Sequence, residues 1–243
     1  MDTNNTLSGV VAQVTTRQLD TNATQSVLKK WAVVENERVV SSPLVLQKLK
    51  YGSYKDAIAL GTQIVALGKG NALDAEFKAV RVDIVKDTVK YFNAGALEVF
   101  ETFITLACLL GKQDEIELTL CQANIDIVQE IIDSCKVGYL PRAVACMPSA
   151  LQLGKREALE ARLTKEGIDL AVEVNKTLRG NLRQLAAGYM QMLLLLGKED
   201  ILKEVIAQGS FNLETEGFAG KTLSEWSVQH GYVELARFLK GIG

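Results

Sequence analysis

The tripeptide Leu-Gly-Lys occurs four times, with its glycines at Gly68, Gly111, Gly154 and Gly197, 43 residues apart each time. An unbroken period of that length marks a stacked-repeat protein. One copy cannot bury its own apolar face, so neighbours must stack and share a core that runs along the array. The pattern extends well past the tripeptide. Five residues after each glycine stands Leu73, Ile116, Leu159 or Leu202, and nine after it Phe77, Leu120, Leu163 or Ile206. That i, i+4 pair is one stripe of a helix. Three residues after the glycine come Asn71, Asp114, Glu157 and Asp200, a cap or an acid at the positive end of a helix dipole. Val82, Ile125, Ile168 and Phe211 lie fourteen residues after it, and Asp83, Asp126, Asp169 and Asn212 then open the next copy. A second column, Gly52, Gly95, Gly138 and Asn181, precedes each first glycine by sixteen residues and holds types that tolerate the left-handed backbone of a helix stop.

Each copy therefore reads as three helical pieces, A, B and C. In the second copy these are 85–93, 96–110 and 114–123. Helix B carries a wide apolar face (Leu97, Phe100, Ile104, Ala107, Cys108) suited to burial between neighbours. The Leu-Gly-Lys is the B–C turn: leucine closes B, glycine takes positive φ, and lysine sits near the negative end of B. The expected fold is all-α, a right-handed α-solenoid with repeats at 40–82, 83–125, 126–168 and 169–211, followed by a terminal unit at 212–243. Residues 1–39 form a polar lead-in and a capping segment in which Trp31 covers the apolar end. Pro43 and Pro141 fall in first helical turns, where proline is tolerated, with Ser41 or Ser42 before Pro43 as the cap. Pro148 falls inside a helix B, where proline removes a hydrogen bond and usually kinks the helix.

Composition narrows the function. A 243-residue chain with 48% hydrophobic residues has ample core material, and the absence of any Gly/Ser-rich linker argues for one repeat domain. A net charge of −2 offers nothing to a phosphate backbone, so no nucleic-acid partner is expected. Neither a secretory leader nor a membrane-spanning apolar run is visible, so a cytoplasmic setting with no membrane partner is expected. Cys108, Cys121, Cys135 and Cys146 have no C-x-x-C spacing and read as buried free thiols of a reducing compartment.

Reactive constellations are missing. The single histidine, His230, stands at a turn where local hydrogen bonding is its expected role. No metal-ligand spacing, Walker, Rossmann or nucleophile-elbow pattern occurs, so neither catalysis nor a cofactor is expected. Two repeated features remain. Lys69, Lys112, Lys155 and Lys198 form a column along one edge, offset by an acid or Asn two residues on, and read as a solvated turn. Tyr51, Tyr54, Tyr91, Phe92 and Tyr139 cluster at the A–B turns of the first three copies and are the candidate partner-binding residues, since exposed tyrosines are frequent interface anchors. The competing reading makes these rings plugs between adjacent repeats.

From Gly220 the chain resembles an ankyrin repeat. Gly220-Lys221-Thr222 is similar to the turn into the first ankyrin helix, and Glu225-Trp226-Ser227 to its Asp-Trp-Ala variant. His230-Gly231 resembles the inter-helix turn, and Glu234-Leu235 with Phe238-Leu239 the second helix. Gly231 follows Gly197 by 34 residues, near the ankyrin period of about 33. Leu223 replaces the usual proline, and Ser224 a normally apolar residue. The four earlier copies resemble the family more loosely and are nearer HEAT or armadillo units in length. The resemblance implies a protein–protein interaction module acting as scaffold, adaptor or inhibitor on a partner protein. The alternatives are a nucleic-acid-binding HEAT-like array, or a bacterial effector delivered into a host cell with an unrecognised activity.

Overall fold

The computed structural model describes residues 41–209 and 222–241. The expectations for 1–39 and Trp31, and those for Phe211, Asn212, Gly220 and Lys221, lie outside the described residues. Fourteen helices and no strand occur among the described residues. The first copy gives α1 (Ser42–Lys50), α2 (Tyr54–Ala66) and α3 (Gly70–Ala79). The second gives α4 (Ile84–Asn93), α5 (Leu97–Leu109) and α6 (Gln113–Gln122). The third gives α7 (Ile127–Lys136), α8 (Leu140–Gln152) and α9 (Arg156–Lys165). The fourth gives α10 (Leu170–Arg179), α11 (Arg183–Leu195) and α12 (Glu199–Gly209), and α13 (Leu223–Gln229) with α14 (Val233–Gly241) ends the chain. The B helices start at 54, 97, 140 and 183, so the sequence period is the helix period.

The turns explain that regularity. Gly68, Gly111, Gly154, Gly197 and Gly231 have φ between +66 and +76. In the third copy the Lys155 amide donates to the Ala150 carbonyl at 2.9 Å and the Gly154 amide to Leu151 at 3.1 Å. That crossed pair is the Schellman motif, which satisfies two carbonyls that a helix end leaves open. A third left-handed column, absent from the sequence expectations, lies at the C–A turn: Arg81 (φ 59), Asn124 (φ 55) and Gly167 (φ 69). There the Val82 amide returns to Phe77 and the Ile168 amide to Leu163, both at 2.9 Å. The motif favours an apolar pair at those two positions, which gives the period's apolar residues nine and fourteen after the glycine their reason. Asp83, Asp126 and Asp169 are true N-caps of the A helices, each carboxylate accepting from one or two first-turn amides. The acids three residues after the glycine sit inside the first turn of helix C instead, and Lys69 and Lys155 hold the cap positions with no side-chain cap bond. Ser41 likewise caps α1 by backbone geometry alone.

Contacts divide the chain into two compact units, Met1–Thr119 and Leu120–Gly243. In the first, α1 packs on α2 and α3, α4 packs on α5, and the B helices α2 and α5 lie against each other. Val45, Ala57, Leu73, Phe100, Ile104 and Leu106 are fully buried. In the second, α7 packs on α8 and α9, α8 on α11, α10 on α11 and α12, and α11 also meets α14. Its core is Ile131, Ile132, Leu140, Met147, Val174, Met190 and Met192. Removing each such side chain from water contributes about 1.5–3 kcal/mol, which is what sets the stacking. Met147, Met190 and Met192 are packing residues. α8 continues through Pro148, and Pro141 sits in its first turn. Some expectations change in detail. In α12 Leu202 and Val205 are the buried residues and Ile206 is half-buried, Cys108 is half-buried, and Cys121 is exposed because it lies one residue off the buried stripe of α6.

Candidate partner-binding groove

Three of the five candidate rings meet. Tyr51 follows the last turn of α1, Tyr54 opens α2, and Tyr91 lies in the last turn of α4. All three line one groove in the first unit, with a volume of about 470 Å³ and a lining that is mainly apolar. Leu46 and Leu49 of α1, Val80 and Val82 of the C–A turn, and Val99 and Phe103 of α5 complete its walls. Tyr51 is 70% exposed and Val80 51%, so the mouth is apolar as well. Tyr91 is held by Phe103, with ring centroids 5.1 Å apart, and the Lys90 ammonium lies 5.5 Å from the Tyr91 centroid. Both contacts fix the ring before anything binds. Lys50 is the one charged residue of the lining and has no ion-pair partner among the described residues.

The other two rings lie elsewhere. Phe92 points into the core, 7% exposed and tilted against Phe100 at 5.0 Å, because one residue along a helix turns the side chain by about 100°. It belongs to the packing reading. Tyr139 belongs to the second unit, where it precedes α8 and is exposed outside any described groove.

Two members of the lysine column have partners that sequence spacing does not show. Lys112 is ion-paired with Asp74, and Lys198 with Glu160 at 2.8 Å. Both turn lysines thus reach the C helix of the preceding copy, not the acid two residues on. Burial works against the charge on Asp74, yet hydrogen bonds from Lys112 and Lys78 hold its carboxyl below the usual range. His230 bonds locally: its Nδ1 lies 2.9 Å from the Trp226 carbonyl oxygen and its ring stacks on the indole at 4.0 Å. Thr222 and Glu225 form a reciprocal capping box at the start of α13.

One titratable group stands out from the repeat. Glu101 of α5 occupies a position that is Ile58, Val144 and Ala187 in the other copies. Burial, reinforced by the charge of Glu98 and opposed by Lys55, pushes its carboxyl up to about 7. Among the described residues, no group of three potential ligands could hold a metal ion, and no helix is long and apolar enough to cross a membrane. Comparison with family models, curated proteins and solved structures finds no significant match.

Proposed function

We propose that this chain is a protein–protein interaction module, a scaffold, adaptor or inhibitor, that holds a partner protein through its repeat surface and performs no catalysis. The single observation that carries this reading is the groove of the first unit, where Tyr51, Tyr54 and Tyr91 surround an open apolar concavity. Tyrosines presented on a packed helical frame supply large contact area at low entropic cost, the usual make-up of interface anchors. In this reading the array is a right-handed solenoid and its last helix pair an ankyrin-type repeat. The capping box at Thr222, the turn at Gly231 and the local His230–Trp226 bond support that assignment. Four cysteines with free thiols fit a reducing compartment such as the cytoplasm.

The test is Tyr51→Ala combined with Tyr91→Ala, read by thermal melting and by quantitative capture from the source cells. We expect a defined partner to be held by the unaltered chain and weakened about tenfold or more on the double variant, as for hot-spot truncation. Equal capture by both proteins overturns the reading. So does capture that merely tracks a fallen melting temperature, which returns the rings to packing.

A further inference from the structure

We infer that the groove takes a peptide segment of a partner protein in which apolar anchors stand beside a carboxylate, the carboxylate meeting Lys50. The inference rests on the protein-binding reading above and adds the chemistry of the bound segment.

The repeat itself supplies the argument. Two copies further on, 86 residues along, the position of Lys50 is Lys136 and the position of Val80 is Glu166. Lys136 and Glu166 are joined at 2.6 Å. The geometry of the repeat therefore brings these two positions within ion-pair reach, and in the second unit the chain provides both charges. In the first unit the lysine is kept and the acid is replaced by an exposed valine. Lys50 is exposed and has no ionic partner among the described residues. The described lining of the groove contains no carboxylate at all, and a second ammonium, that of Lys90, lies over Tyr91 at its wall. A groove with apolar walls, tyrosine hydroxyls and uncompensated positive charge is complementary to an acidic, apolar segment and penalises a basic one. Apolar side chains would enter between Tyr51, Tyr54, Tyr91 and Phe103, and the carboxylate would stand where Glu166 stands in the second unit.

The probe is a displayed library of random peptides about twelve residues long, selected on the full chain, followed by fluorescence polarisation with synthetic copies of the winners. Enriched sequences are expected to pair two or more of Leu, Ile, Phe and Trp with at least one Asp or Glu. Tyr51→Ala and Lys50→Glu alter exposed residues, so the fold is kept, and each should weaken binding about tenfold or more. Changing the peptide's acid to lysine should restore affinity on the Lys50→Glu protein. Winners that depend on Tyr51 but lack an acid, or that bind Lys50→Glu equally well, overturn this inference and leave the protein-binding reading standing. Winners indifferent to both Tyr51→Ala and Tyr91→Ala, or no winners, overturn both. A dimer in sedimentation that Tyr51→Ala dissociates assigns the groove to a second copy. Selection that succeeds only on Trp31→Ala assigns it to the chain's own leading segment. Either outcome also overturns the inference.

Discussion

The groove of the first unit and its counterpart in the second are built from the same repeat positions, 86 residues apart, and differ in how deeply those positions are buried. Leu46, Leu49, Tyr54, Tyr91 and Phe103 correspond to Ile132, Cys135, Leu140, Thr177 and Tyr189. The latter five are all buried, whereas of the former only Phe103 is. Small Thr177 stands where Tyr91 projects, and Gly188 lets the α8 and α11 helices close over Leu140, where the first unit has Thr102 and Tyr54. The Lys136–Glu166 pair then laces the rim. One backbone plan therefore yields a packed seam or an open groove according to a handful of side chains, because the turns and caps fix the helices and leave the seam positions to vary.

The largest contrast should appear in thiol chemistry. Cys135 sits at the buried seam position with its Sγ 3.9 Å from the Met192 sulfur, and burial raises its thiol from the ordinary 9.0 to about 12. The thiolate is the reactive form, and a thiol pushed up that far carries about a thousandfold less of it near neutral pH. Leu49→Cys would place a thiol at the equivalent position of the open groove. Maleimide labelling of the native protein, mapped by mass spectrometry, should modify Leu49→Cys readily and Cys135 only after unfolding. Comparable rates at both would mean that the two seams do not differ in access.

Next in size are the two glycines where B helices cross. A Cβ on Gly188 would stand 2.7 Å from the Leu140 Cβ, an atom fixed to its backbone. One on Gly61 would crowd the Leu106 Cδ2, at 2.6 Å, the far end of a side chain that can rotate, and meet Leu73 and Leu109 only at ordinary contact distance. Overpacking costs about 1–3 kcal/mol, against about 1 kcal/mol gained by replacing a helical glycine with alanine. Gly188→Ala should therefore lose up to about 2 kcal/mol in urea unfolding, and Gly61→Ala should stay within about 1 kcal/mol of neutral. A reversed order would show that the closer helix approach is in the first unit.

A third difference is electrostatic. Glu101 of the first unit stands where the second has buried Ala187. Its carboxyl is raised from the ordinary 4.5 to about 7 by burial, then by Glu98, with Lys55 opposing. The folded state holds this proton more tightly than the unfolded one, so the associated stability is fully present below about pH 4.5 and is lost as pH rises through about 7. Discounted for the part of the side chain that still meets solvent, the effect is about 1–2 kcal/mol. Glu101→Gln should raise the melting temperature at pH 8 and leave it unchanged at pH 4. An equal change at both would assign the effect to packing.

The period, the three helices per copy and the glycine stops are legible in the sequence, because each rests on local rules: apolar spacing within a helix, and the residues that tolerate positive φ. The C–A stop is hidden because two of its three described residues, Arg81 and Asn124, are not glycine. The partners of the lysine column are hidden for a different reason. Asp74 and Lys112 are 38 residues apart in sequence, and only stacking brings them together. The candidate groove is half legible. Aromatic residues at A–B turns point to Tyr51, Tyr54 and Tyr91, but the facing of Phe92 depends on helix rotation, and the significance of Lys50 emerges only when Glu166 is seen paired with Lys136.

The smallest effect in energy is also the one that bears most directly on the groove. Val80→Glu would give Lys50 the acid that Lys136 already has. An ion pair at such a surface contributes about 0–1 kcal/mol, so the melting temperature should rise by no more than about 2–4 °C. Lys136→Met, which removes the pair in the second unit, should cost a similar small amount. Their consequences for binding should nonetheless diverge. A glutamate at position 80 occupies the charge that a ligand's carboxylate would meet and narrows the mouth beside Tyr51, so acidic peptides should bind about tenfold more weakly. Lys136→Met should leave that affinity untouched, because the pair it breaks closes a seam already filled by side chains. Should Val80→Glu bind acidic peptides as well as the unaltered chain, Lys50 does not read the ligand's charge, and the analogy between Val80 and Glu166 fails with it.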